Sequence, residues 1–303
     1  LSHAKKYIIY QVVWQWLALL CQVVMIYCAS ALLEQALFWT VTPGMAVYYG
    51  GVVLVALILR FVCDRQASQA SYRASVDVKR ILRDKIYSKL LRLGASYREK
   101  VTTSEVVQMA AEGVEQLETY FGKYLSQLFY SLLAPVTLFV ILSFVNWQAS
   151  LVLLICVPLI PISIVAVQKI AKKLLNKYWG IYTELGDSFL ENLQGLTTLK
   201  IYCADEKKAE EMDEESQRFR QITMKVLTMQ LNSTSVMDII AYGGAAIGMI
   251  VTLTQFMKGN LSVHGALMLI LLASEFFIPL RLLGSFFHIA MNGMAASDKI
   301  FAL

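Results

Sequence analysis

Apolar residues gather in six long runs, at about residues 8–33, 44–62, 124–145, 147–168, 236–257 and 263–287. A hydrocarbon core about 30 Å thick takes roughly 20 residues of helix, at a rise of 1.5 Å per residue. Lipid offers no partner to an unpaired backbone group, so each run must be a helix. The pattern predicts an all-α membrane protein with six spanning helices. Pro135, Pro158, Pro161 and Pro279 lie inside the runs and predict local interruptions, tolerated where neighbouring helices satisfy the freed backbone groups.

Two excursions, 63–123 and 169–235, separate the second span from the third and the fourth from the fifth. In the first, Val76, Val78, Ile81, Leu82, Ile86, Leu90 and Leu93 recur three and four apart among charged neighbours, as on one face of a helix. Some 30 residues of helix project about 45 Å from the membrane. Gly94 and the stretch GASYREKVTTSE break it, and a second helix from about Thr103 to Gln127 returns, with Thr103 or Ser104 as its cap. The second excursion repeats the plan, with a break near YCADE. Two hairpins broken at their far tips suggest docking points beyond the membrane.

Composition agrees with this picture: 57% of residues are hydrophobic and only 16% charged, at a mean hydropathy of +0.56. Residues 60–123 hold twelve Lys or Arg and residues 169–225 hold ten, whereas the three short connections hold only Lys258. The positive-inside bias then puts both hairpins and both termini in the cytoplasm, as in a multi-pass protein of a plasma membrane. The net charge of +5 follows from that topology and favours anionic lipid. Spread over two helical excursions, it makes no nucleic-acid face. The first run is too long for a signal peptide and lacks a small-residue cleavage pattern. Cys21, Cys28 and Cys156 fall in membrane runs and Cys63 and Cys203 on the cytoplasmic side, so reduced thiols are expected.

Several stretches resemble the transmembrane domain of an ATP-binding-cassette (ABC) exporter. LLRLGASYREKVTTSEVVQMAAEGVEQLETYF is similar to that family's first intracellular loop and FLENLQGLTTLKIYCADEKKAEEM to its second, while NWQASLVLLICVPLIPI resembles the start of its fourth helix. SEFFIPLRLLGSFFHIAMNGMAASDKIFAL further resembles the sixth helix of CydD-type subunits of the CydDC exporter, which is tied to cytochrome bd assembly. The resemblance implies alternating access driven by ATP and Mg²⁺ in nucleotide-binding domains, and dimerisation with a CydC-like half-transporter or a second copy. It also implies that the hairpin tips couple those domains to the membrane: Tyr97, Arg98, Glu99 and Lys100 on the first, and Asn192, Gly195, Leu199, Lys200 and Tyr202 on the second. No Gly-x-x-x-x-Gly-Lys-Ser/Thr loop is present, Gly122-Lys123 being the only Gly-Lys, so no ATPase or other catalytic site is expected within the chain. Starting without Met and stopping after the sixth helix, the chain is expected to precede a nucleotide-binding domain.

Charges inside the sixth run need a partner or water, since one near mid-membrane costs at least about 2.5–3.5 kcal/mol. At about 100° per residue, Ser274, Arg281, Ser285, His288 and Asn292 share a stripe roughly 60° wide, with Glu275 some 120° away. This stripe is the expected substrate path. Arg281 suits a carboxylate and Glu275 an amine, groups that cysteine and glutathione carry. Haem propionates, lipid or peptide remain alternatives, and a lone His288 is weak support for haem. On helix one, Gln11, Gln15 and Gln22 share a face with Ala18 and Ala29, which either bonds between helices or lines the path.

Overall fold

A computed structural model describes residues 2–94 and 102–287, together with 290 and 293. The described residues form helices and short connections, with no strand among them. Helix α1 (Ser2–Leu37) runs antiparallel to α2 (Pro43–Leu93), which starts with Pro43 at its first position and the Thr42 hydroxyl accepting from the Met45 N–H at 3.4 Å. Ala56, Ala67, Ala70 and Ala74 lie on the buried face of α2. At its end Gly94, with φ 54°, turns the chain out of the helix while its N–H bonds the Leu90 carbonyl.

Helix α3 covers 103–143 but is not uniform. It widens into π turns at Met109–Gly113 and Tyr120–Tyr124, which the apolar spacing did not foretell. Gly122 lies in the second π turn, where a Cβ would come within 2.1 Å of the Ser75 hydroxyl, and its carbonyl accepts from Ser71 Oγ at 2.8 Å. The glycine of the Gly-Lys dipeptide therefore serves packing, letting α3 close on α2.

Helix α4 (Trp147–Cys156) is capped by Asn146 and stops at a turn over Val157–Pro158, before α5 (Leu159–Gln194) continues away from the membrane. A short α6 (Leu196–Ile201) caps the second hairpin and α7 (Asp205–Met257) returns. The last span is α8 (Val263–Ala273), a 3-10 turn at Ser274–Phe276, and α9 over 278–287. The apolar runs lie in six helical stretches long and apolar enough to cross a membrane.

Leu138, Leu142, Leu153, Ile160, Leu269, Leu272, Phe276 and Phe277 fill a main core between α3, α4, α5, α7 and the last span. Gly244 and Gly248 bring α7 against it, since a Cβ there would meet Phe277 at 2.7 Å and Leu153 at 2.2 Å. A second cluster of Val78, Leu82, Ile86, Val106, Met109, Val114 and Leu117 closes the first hairpin. All five cysteines are free. Cys63 is buried where α2 faces α1, and it lines the same cavity as Cys21.

Candidate functional site

The site is built around the break in the last span. Pro279 has no N–H for the Glu275 carbonyl four residues back, so the helix cannot run straight through. The chain tightens instead, with Phe277 N–H on the Ser274 carbonyl at 3.0 Å, and resumes with Arg281 N–H on the Phe277 carbonyl at 2.9 Å. The Pro279 carbonyl accepts from Gln127 Nε2 at 2.9 Å and lies 2.8 Å from Ser131 Oγ, both buried on α3. Helix α3 thus fixes the break. The break lies between Ser274 and Arg281, so a uniform helical rotation does not relate those two residues of the stripe.

Arg281 reaches α7, where its Nε and Nη2 bond the two carboxylate oxygens of Asp238, the second at 3.3 Å. Its guanidinium also sits 5.6 Å from the centre of the Tyr242 ring, one turn along α7. The pair is about one-third exposed. Asp238 is thus the partner that a charge in this span requires, and a ligand carboxylate reaches Arg281 by competing with it. Asp238 went unnoticed in the sequence. A signal was present: Asp238 and Arg281 each lie about 18–19 residues from the short-loop ends of their helices, hence at one depth.

Glu275 lies on the 3-10 turn, half-buried, with neither a hydrogen bond nor an ion pair among the described residues. Its electrostatic neighbours are Tyr130 on α3 and Arg60 on α2, the latter 3.7 Å from Asp64. Ser274 is half-buried beside it, and Ser285 is exposed, its hydroxyl 3.3 Å from the Arg281 carbonyl. His288 and Asn292 lie outside the described residues.

The glutamine face of α1 divides. Gln11 is buried and accepts from Ser126 Oγ on α3 at 2.7 Å, an interhelical bond. The side-chain oxygens of Gln15 and Gln22 are buried with no partner, acceptors that call for a donor from water, ligand or another chain. His264 joins α8 to α1: its ring is 2.9 Å from Ser30 Oγ and edge-on to Tyr27, and its backbone N–H donates to Glu34 at 3.2 Å. These bonds give it a structural role between the two helices.

The second hairpin tip is the other candidate. Gly195 ends α5 with its N–H on the Glu191 carbonyl at 2.9 Å, and Cys203, at φ 50°, ends α6 by turning Ala204 N–H back to the Leu199 carbonyl. Lys200 sits 4.0 Å from Asp205. Asn192 and Leu199 line a shallow pocket of about 200 Å³ with Phe189 and Leu196, and Tyr202 is 76% exposed. No residue of α6 is buried. Tyr97, Arg98, Glu99 and Lys100 of the first tip lie outside the described residues.

Residues 7–280 match the ABC transporter transmembrane region. The chain belongs to this family. Its six spans with two long helical extensions are the architecture of an ABC exporter transmembrane domain. It is 58% identical over 290 residues to an uncharacterized ABC transporter ATP-binding protein of Haemophilus influenzae, covering 96% of this chain and 52% of the relative. It is 26% identical over 259 residues to the glutathione/L-cysteine transport system ATP-binding/permease protein CydD of Escherichia coli, covering 82% and 44%. The corresponding CydC protein of Bacillus subtilis is 24% identical over 250 residues, with 82% and 44% covered. The chain spans about half the length of the curated relatives it matches.

Proposed function

We propose that the chain is the membrane half of an ATP-driven exporter of small thiols of the cysteine and glutathione kind, working from the cytoplasmic side of a bacterial plasma membrane. In this reading it plays a CydD-like part in cytochrome bd assembly and pairs with a CydC-like half-transporter. The Arg281–Asp238 pair and Glu275, six residues away on the same span, carry the substrate class. Asp238 holds Arg281 in a pair that a substrate carboxylate can enter, and the same broken helix offers Glu275 without a partner. A cysteine-type zwitterion supplies both complements, a carboxylate for the guanidinium fork and an ammonium for Glu275. The names of the CydD and CydC relatives point to the same thiols.

ATP and Mg²⁺ belong to the nucleotide-binding domains, where hydrolysis supplies the free energy. The part played here is mechanical. Leu199 and Tyr202 present an unburied face to such a domain, and α5 and α7 carry its movement rigidly to α4 and to Asp238. Moving α7 relative to α9 strains the Arg281–Asp238 pair, so that the site can bind on one side and release on the other.

The test uses the full-length protein with its partner in proteoliposomes, following ATP hydrolysis as cysteine, glutathione and haem are titrated. A thiol should stimulate hydrolysis, and Arg281→Ala should abolish that stimulation while leaving basal hydrolysis. Stimulation by haem or lipid alone would overturn the substrate assignment.

A further inference from the structure

Two cavities adjoin along the seam between α1 and α2. The larger is an open apolar groove of about 730 Å³ at the depth of the spans, lined by Trp14, Cys21 and Val24 on one side and Gly51, Val55 and Leu59 on the other. It ends at Trp14 and Cys63. One helical turn further toward the extensions lies a polar pocket of about 240 Å³ lined by Lys6, Tyr7, Tyr10, Gln66, Gln69 and Arg73. No carboxylate lines this pocket, and neither Lys6 nor Arg73 is in an ion pair among the described residues.

Two cations, two phenols and two amides converging without an acid are a donor set for a phosphate. The pocket sits where α1 and α2 leave their apolar segments, the level of lipid headgroups. Trp14 stands between the cavities, edge-on to Tyr10 with ring centres 5.6 Å apart, and its buried indole N–H has no partner.

We propose that this composite site holds one anionic phospholipid from the leaflet on the side of the helical extensions, its phosphate on Lys6 and Arg73 and an acyl chain along the groove. Charge and continuity select this occupant. Free phosphate would leave 730 Å³ of apolar groove unfilled, and an apolar helix of a partner chain would leave Lys6 and Arg73 without an anion. A lipid satisfies both ends, and basic pockets beside membrane helices recognise headgroups in this way. The site lies apart from the Arg281 belt and does not depend on the exporter's substrate.

The test reconstitutes the full-length protein with its partner in nanodiscs of phosphatidylglycerol and phosphatidylethanolamine, re-extracts it in mild detergent, and counts retained lipid by mass spectrometry. The wild type should keep about one phosphatidylglycerol at this site per chain, unaffected by millimolar inorganic phosphate. K6A/R73A should lower that retention about tenfold, because both cations that face the headgroup are removed. Gly51→Leu should lower it similarly with both charges intact, because its side chain would enter space that is open at Gly51. Elution volume and helical circular dichroism should match the wild type in both variants. Equal retention in all three proteins would overturn the proposal. So would displacement by inorganic phosphate with Gly51→Leu silent, which would mean a phosphate pocket alone, or cross-linking of Cys21 to the partner chain, which would mean a helix in the groove.

Discussion

The two hairpins share a shape and differ in what closes them. In the first, Val78 and Val114 are fully buried, and Leu82, Ile86, Val106, Met109 and Leu117 complete a core between α2 and α3. Lys79 crosses to Glu118 at 2.8 Å, and Ser71 to the Gly122 carbonyl at 2.8 Å. In the second, no residue from 176 to 221 is buried. Tyr178 and Tyr182 lean on Phe219 with ring centres 5.5 Å apart, and beyond them Phe189, Leu193, Leu196, Ile201 and Tyr202 stand exposed. Its Lys208–Glu211 pair, at 2.6 Å, lies within one helix and crosses nothing. The first hairpin is closed by its own side chains, while the second leaves its apolar groups for another surface to cover. The hairpins touch where Tyr182 donates to Glu112 at 3.1 Å; burial, with that carboxylate beside it, pushes the Tyr182 phenol up and keeps it a donor at neutral pH.

Charge insertion should separate the hairpins most. Val114→Asp buries a carboxylate with no partner and should cost at least about 4 kcal/mol, read as a lower unfolding temperature and protease cutting between α2 and α3. Phe189→Asp, at a site 55% exposed, should leave stability within about 0.5 kcal/mol yet uncouple ATP hydrolysis from transport. Equal destabilisation by both would erase the distinction. Truncation gives a smaller contrast. Leu82→Ala should lose about 2–5 kcal/mol, whereas Leu193→Ala, more than half exposed, should change unfolding little. The ion pairs come last: Lys79→Ala, which removes a bond between α2 and α3, should lower the unfolding temperature slightly in the same assay, and Lys208→Ala, whose loss only frees Glu211 on the same helix, should have no measurable effect.

Length and charge made the architecture readable, because spanning helices need long apolar runs and the extensions carry the Lys and Arg. The break at Gly94 was legible as a glycine where an apolar period stops, and so was the one near YCADE, whereas the earlier interruption at Gly195 was not foreseen. The π turns of α3 were not, because one extra residue in a turn hardly disturbs the spacing of Met109, Val114 and Leu117. The site was half legible. Arg281, Glu275 and Gln11 stand out as polar groups in apolar runs, but their partners are fixed by packing: Asp238 is 43 residues from Arg281 and Ser126 is 115 from Gln11. The break at Ser274–Phe277 also redirects the residues beyond it, which a straight helical projection misses.

Everything proposed for the Arg281 belt turns on a thiol crossing the membrane. Inverted vesicles holding the full-length protein and its partner, supplied with labelled cysteine or glutathione, would show that crossing. The thiol should accumulate only with ATP, should fail to accumulate in Arg281→Ala, and should fail in Phe189→Asp while hydrolysis continues. ATP hydrolysis with no thiol accumulating, while haem or lipid moves instead, would contradict the proposal.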